Sequence, residues 1–293
     1  DGIAYDDGTV TRLAENRFMV TTTTGHAGPV MIHMERHAQI VWPELDVKII
    51  SVTDDWAAIA IAGPNSRKVL AKVIEGLDLS NDAFPFMAFS ECTIFGAPAR
   101  LFRISFSGEL AYELNVPSDY GHDVWQGLMD AGADEHIIPY GTEAMGIMRI
   151  EKGHIVGGEL NGRTTADDLG FGRMQSTQKR YIGDVLKDRS DLIRTDRKQL
   201  VGLKPVDGVS KIPRGARLVA DPNGPRPVPI EGEVTSQCES PHVGSPIGLG
   251  MLKSGRQRHG ETLIATSPVT GQDVTVMVCD TIFVDPEGER LRG

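Results

Sequence analysis

The chain has 293 residues, 40% of them hydrophobic and 24% charged, with a formal net charge of −10. That balance describes an ordinary globular chain of one large or two to three small domains and excludes a disordered or fibrous one. An acidic total argues against nucleic acid as the main partner, because a duplex-binding protein presents a basic face.

Cys92, Cys238 and Cys279 lie far apart and form no CxxC pair. A disulfide framework or cysteine zinc site is not expected, and a reducing, cytoplasmic compartment is. No apolar run reaches the length of a membrane span, and no signal-peptide pattern opens the chain. The sequence begins at Asp1 without a methionine, and the expectation is an internal part of a longer polypeptide.

In chain order, Ile3–Tyr5 and Thr9–Leu13 flank Asp6-Asp7-Gly8. This reads as a hairpin, because Asp-Gly suits a turn that needs positive φ. Arg17–Thr23 is a second strand candidate. Val30, Met31, Met34, Ala38, Val41 and Trp42 recur at helical spacing, and Pro43 ends that helix. Val47–Val52 and Trp56–Ala62 read as strands. Gly63-Pro64 opens a helix whose stripe is Val69, Leu70, Val73, Ile74 and Leu77. Cys92–Phe95, Ala99–Phe106 and Ala111–Val116 are strand-like. Tyr120–Met129 and Thr142–Lys152 are helical. The alternation points to an α+β arrangement rather than a parallel βαβ repeat. After about Asp191 the helical period stops, and short apolar runs separated by Gly, Pro and Asp predict a small antiparallel barrel or sandwich. The expected domains are residues 1–190, α+β, and 191–293, all β.

Asp6-Asp7 beside Gly8 fits a simple turn, or a carboxylate held at a loop tip for general-base work on an amine. Glu113 stands in an apolar strand between Tyr112 and Leu114. It either faces water or is held where a carboxylate grips an amidine-like edge. His33 and His37 share a helix face, but no third ligand stands out and the HExxH order is absent. They read as a polar helix flank, and no metal is expected. No phosphate-loop or GxSxG pattern appears.

Several stretches together resemble the glycine-cleavage T-protein (aminomethyltransferase) family. Gly2-Ile3-Ala4-Tyr5-Asp6-Asp7 is similar to its GG-x-x-D-D segment, and Trp56–Pro64 to its ALQGP turn. Arg103–Glu113 is similar to R-T-G-Y-T-G-E-x-G-x-E, and Met148–Gly153 to LRLEAG. Gly232–Ser236, Ser240-Pro241 and Gly248–Met251 resemble the closing barrel signature. The order is that of the family over nearly the whole chain, with the segment upstream of GG-x-x-D-D absent. Ser105–Tyr112, Tyr140–Ala144, Ile150–Gly153 and Arg256–Gly260 are most similar to the carboxy-terminal region of sarcosine oxidase α subunits.

The resemblance implies a multi-lobed folate-binding α+β fold with a C-terminal antiparallel β-barrel. It implies tetrahydrofolate as cofactor, with flavin and NAD only in parts outside this chain. The implied partners are folate, the remainder of the α chain and the other oxidase subunits, with no nucleic acid and no membrane. The implied activity is capture of the carbon released by amine oxidation as 5,10-methylenetetrahydrofolate. The alternatives are a non-catalytic folate-sensing or assembly module and a stand-alone aminomethyltransferase. Asp6 falls on the family's catalytic aspartate, with Asp7 the alternative register. Glu113 falls on the pterin-holding glutamate, Tyr112 is grouped with it, and Phe106 replaces a tyrosine that lies against folate. Met145 stands where the transferases carry arginine, a departure that counts against the stand-alone enzyme.

Overall fold

The computed structural model describes residues 1–293. The chain forms two compact units: one holds residues 6–141 and 287–293, the other residues 1–5 and 142–286.

In the first unit, β1 (Val10–Ala14) and β2 (Arg17–Val20) pair antiparallel. The hairpin therefore turns at Glu15-Asn16, not at Asp6-Asp7-Gly8. Gly8 is needed for another reason than positive φ. A Cβ there would lie 2.0 Å from the Thr21 carbonyl oxygen, so only glycine lets the two backbones close. Helix α1 (Ala27–Arg36) continues as a wider-pitched turn to Val41 and stops before Pro43. The expected strand over Val47–Val52 does not form; the segment has no regular secondary structure and joins no sheet. Its apolar residues satisfy strand propensity without supplying a partner, and propensity alone makes no ladder.

β3 (Trp56–Ala62), β4 (Ile74–Glu75), β5 (Phe89–Ile94), β6 (Ala97–Phe102) and β7 (Ala111–Pro117) form one antiparallel sheet in the order β3-β7-β6-β5-β4. Helix α2 (Ser66–Ala71) is shorter than its apolar stripe predicts, because Ile74 leaves the helix to pair with Ile94. Helix α3 is Gly121–Ala131. Strand alternation sorts the side chains. Ile59, Ile61, Leu101, Tyr112, Leu114 and Val116 point one way and pack with Val69, Leu70, Val124 and Leu128 of α2 and α3. The helices thus cover one sheet face and leave the other to a different use.

In the second unit, α4 (Thr142–Glu151) precedes six strands: β8 (Lys198–Pro205), β9 (Arg217–Val219), β10 (Gly232–Ser240), β11 (Ser245–Lys253), β12 (Thr262–Ser267) and β13 (Gln272–Cys279). They close into an antiparallel barrel in the order β10-β11-β8-β13-β12-β9, as expected for the C-terminal region. Closure removes sheet edges. Val201, Leu203, Leu218, Val276 and Val278 are among its core side chains. The Met148–Gly153 motif is structural. Arg149 donates to Ser236 Oγ at 2.8 Å, Ser236 donates to Glu159 Oε1 at 2.8 Å, and Glu151 accepts from Ser240 Oγ at 2.5 Å and from His242 Nδ1 at 2.8 Å. These buried charges stay in place because each is paired and hydrogen-bonded.

Candidate functional site

The face of the first unit's sheet that turns away from α2 and α3 is built by register. Glu113 pairs with Ala60 on one side and Phe102 on the other; Asn115, two residues on, pairs with Ala58 and Arg100. Registered partners share a face, so Glu113, Asn115, Arg100 and Phe102 look out together over the small β3 alanines. Neither Glu113 nor Asn115 makes a side-chain hydrogen bond to the protein, although Asn115 is only 5% exposed. Burial pushes the Glu113 carboxyl above the usual carboxylate range, and Tyr140 lies near enough for that carboxylate to raise the phenol's pKa, in second place to burial. Polar groups held on one face without partners are arranged for a ligand.

Arg100 and the hairpin complete this face. The guanidinium carbon of Arg100 sits 3.9 Å from the Trp56 ring centroid, and Nη1 reaches Met19 Sδ of β2 at 3.9 Å.

Asp6 lies just before the hairpin. Its carboxylate accepts from the Thr23 backbone N–H at 3.0 Å and pairs with His26 Nδ1 at 2.9 Å, with its side chain 7% exposed. Burial pushes the Asp6 pKa up, but the hydrogen bonds from His26 and Thr23 outweigh it and leave the group below its ordinary value. Asp7 takes a different partner, the Thr23 hydroxyl at 3.3 Å. Asp6 and Glu113 belong to the same unit and share no hydrogen bond.

Phe106 stands in the β6–β7 turn, 37% exposed. The turn is shaped by Ser105, whose hydroxyl donates to the Glu109 carbonyl at 2.7 Å and accepts from the Gly108 N–H at 3.0 Å, with Gly108 at φ 82°. Tyr112 points away from Glu113: it is fully buried, stacks on Phe84 with ring centroids 6.3 Å apart, and its hydroxyl accepts from Arg67 Nε at 3.1 Å. His37 Nδ1 donates to the His33 carbonyl at 2.8 Å, and the two rings meet edge-on, the packing of a helix flank.

A cavity of about 650 Å³ lies in the other unit, lined by Arg163, Asp168, Asp191, Arg197, Lys198 and Glu233 among others. Arg197 is already paired with Asp168 at 2.7 Å and Asp191 at 3.2 Å, and Lys198 with Glu233. Its charges serve one another, so the sheet face, with its unpaired polar groups, carries the better chemistry.

The sequence reading gives no site role to His26, Asn115, Arg100 or Tyr140. Asn115 carried a signal, two residues from Glu113 on a strand; the others are brought in by long-range contacts.

Comparison with known proteins places this architecture. The chain belongs to the glycine-cleavage T-protein family: residues 1–179 match its GCVT N-terminal domain and residues 198–285 its C-terminal barrel domain. It is 47% identical over 294 residues to the sarcosine oxidase subunit alpha of Rhizobium meliloti (strain 1021), covering 99% of this chain and 30% of that subunit. It is 30% identical over 269 residues to the aminomethyltransferase of Streptomyces avermitilis, covering 89% of this chain and 68% of that enzyme. The crystal structure of the glycine cleavage system aminomethyltransferase T from Bartonella henselae superposes with a TM-score of 0.76 over 97% of this chain and 73% of that one, at 21% identity, a likeness of fold. The family resemblance and the α+β fold with a terminal barrel are borne out. No helix is long and apolar enough to cross a membrane.

Proposed function

We propose that the sheet face opposite α2 and α3 binds a reduced folate, and that the chain captures the one-carbon unit of an oxidized N-methyl amine as 5,10-methylenetetrahydrofolate. The observation that carries this reading is Glu113, a half-buried carboxylate with no protein partner, facing outward over alanines. Its two oxygens suit the paired N–H groups of an amino-pyrimidinone edge. Phe106 offers a ring for stacking at the turn. Tyr112 contributes from the core side by fixing the strand that carries Glu113.

Tetrahydrofolate supplies two nitrogen nucleophiles between which a formaldehyde-level carbon is held. Joining that carbon to two N–H groups expels water, or an amine where the carbon arrives as an imine, and both N–H protons end on the leaving molecule. The chain's part is to pass those protons. Asp6, held ionised by Thr23 and His26, orients the imidazole and offsets positive charge as the C–N bonds form, and the imidazole takes and returns the proton. Proximity of folate to the carbon source supplies much of the gain.

The sarcosine oxidase α relatives are longer proteins, of which this chain spans 30%. Amine oxidation, with its flavin and NAD, belongs in this reading to the remainder of such an α chain, and the other oxidase subunits are the partners.

Isothermal titration of the chain with 5-formyltetrahydrofolate tests the proposal. Saturable binding is expected; an intact fold that takes up none would sink it. Asp6→Asn is expected to keep binding within about two-fold while slowing methylene transfer in the full oxidase by about 100-fold, because the base keeps its place but loses the carboxylate that orients it and offsets its charge.

A further inference from the structure

Arg100 is 7% exposed in a chain of net charge −10, yet no carboxylate lies within salt-bridge distance of it. The groups facing it are few. Trp56 lies under the guanidinium, Met19 touches Nη1, and Asn115 is its cross-strand neighbour on β7. Glu91, its cross-strand neighbour on β5, is exposed and makes no ion pair with it, but its charge acts on the guanidinium and offsets part of the lowering of its pKa. Arg17 of the hairpin stands close enough to repel it, which adds to the effect of burial in lowering its pKa. A buried cation ordinarily has a carboxylate or several acceptors. Here a second cation is nearby, and the adjacent Asn115, 5% exposed as a residue, has an amide that makes no hydrogen bond to the protein and is not sealed from solvent.

We infer that Arg100 and Asn115 form a carboxylate-binding subsite beside Glu113 on the same sheet face. Arg100 supplies charge-assisted N–H donors, and Asn115 adds an amide N–H. Trp56 keeps water from one side of the guanidinium and strengthens both contacts. The subsite lies two residues along β7 from Glu113, about 7 Å. This deepens the folate reading and rests on it for the identity of the neighbouring ligand. The carboxylate has two sources of the same chemistry: the glutamate end of a folate, or an N-methylated amino acid whose oxidation provides the carbon.

The test uses the full chain and three probes: 5-formyltetrahydrofolate, 6-methyltetrahydropterin, which lacks the glutamate end, and N,N-dimethylglycine. Arg100→Gln is expected to weaken one carboxylate probe by about ten-fold or more, the scale of a lost charge-assisted hydrogen bond. The tail-free pterin should stay within about two-fold. Loss confined to the folate assigns its tail; loss confined to dimethylglycine assigns the amino acid. Asn115→Asp, which keeps the side-chain volume and adds a repelling charge, should weaken the same probe and guards against a misfolded arginine variant. Equal weakening of all three probes, or of none, in folded variants overturns the inference. Wild-type chain that binds neither pterin but binds dimethylglycine through Arg100 would remove the folate reading and leave the subsite standing.

Discussion

Glu113 and Asp6 are two carboxylates pushed in opposite directions by their surroundings: burial raises the first, and donated hydrogen bonds hold the second down against burial. The signs have separate consequences. A carboxyl with a raised folded pKa binds protons more tightly when folded, so its ionisation erodes stability as pH climbs from the unfolded value through the folded one. Asp6 is the reverse: its contribution is present above the unfolded pKa and lost as pH falls through the depressed folded one. Pterin recognition needs Glu113 ionised, so folate affinity should be full at high pH and fall as pH drops through the raised Glu113 pKa, above the usual carboxylate range. Titrations from neutral pH down through the carboxylate range, with Glu113→Gln as the control that should lose the dependence, check this. Glu113→Gln should raise the melting temperature at neutral pH and weaken 5-formyltetrahydrofolate about ten-fold, since the amide keeps only one acceptor. A variant that binds as well as the parent would remove Glu113 from the site. Both acids were candidates from their local setting, but only the family order of the motifs chose a site role over a turn or an exposed strand residue. The resemblance groups Tyr112 with Glu113, but neighbours on a strand face apart, and the Tyr112 side chain lies in the core. His26, twenty positions from Asp6, left no local trace, and neither did Arg100, which the β6–β7 register sets beside Asn115.

Elements whose own residues alternate regularly were read correctly, whether or not the partner strand is near in sequence. In β3, alanine and isoleucine alternate between an open and a covered face, and the barrel runs alternate between their turns. The misreadings share one cause. Asp6-Asp7-Gly8 has turn composition, and Val47–Val52 has strand composition, but pairing is decided by what lies across the gap. The hairpin took Glu15-Asn16 as its turn, and Gly8 serves the contact with Thr21. Gly8→Ala should therefore cost about 1–3 kcal/mol in urea unfolding, the range of overpacking against groups that cannot retreat. It should also weaken the hold on the Asp6 carboxylate, seen as a shift of the His26 imidazole resonances. Unchanged stability would mean that the Thr21 backbone moves freely, and that Asp6 is held by its own bonds alone.

At the scale of the whole molecule, the chain carries separate apolar cores: Leu114 and its neighbours under α2 and α3, and barrel-associated clusters that include Leu249. Each unit has the side chains to hold its own fold, a property of domains in general. The candidate chemistry sits on the reverse of the first core, one residue away along each strand, so damage to that core should reach the site. Leu114 and Leu249 are both fully buried, and truncation of either to alanine should cost about 3 kcal/mol. Hydrogen exchange read by mass spectrometry separates the consequences. Leu114→Ala should strip protection from β3–β7, leave β8–β13 protected, and weaken 5-formyltetrahydrofolate. Leu249→Ala should do the opposite in exchange and spare binding. Loss of protection in both units from either substitution would mean that the chain unfolds as a single cooperative body, and the sheet face would then depend on the barrel for its shape.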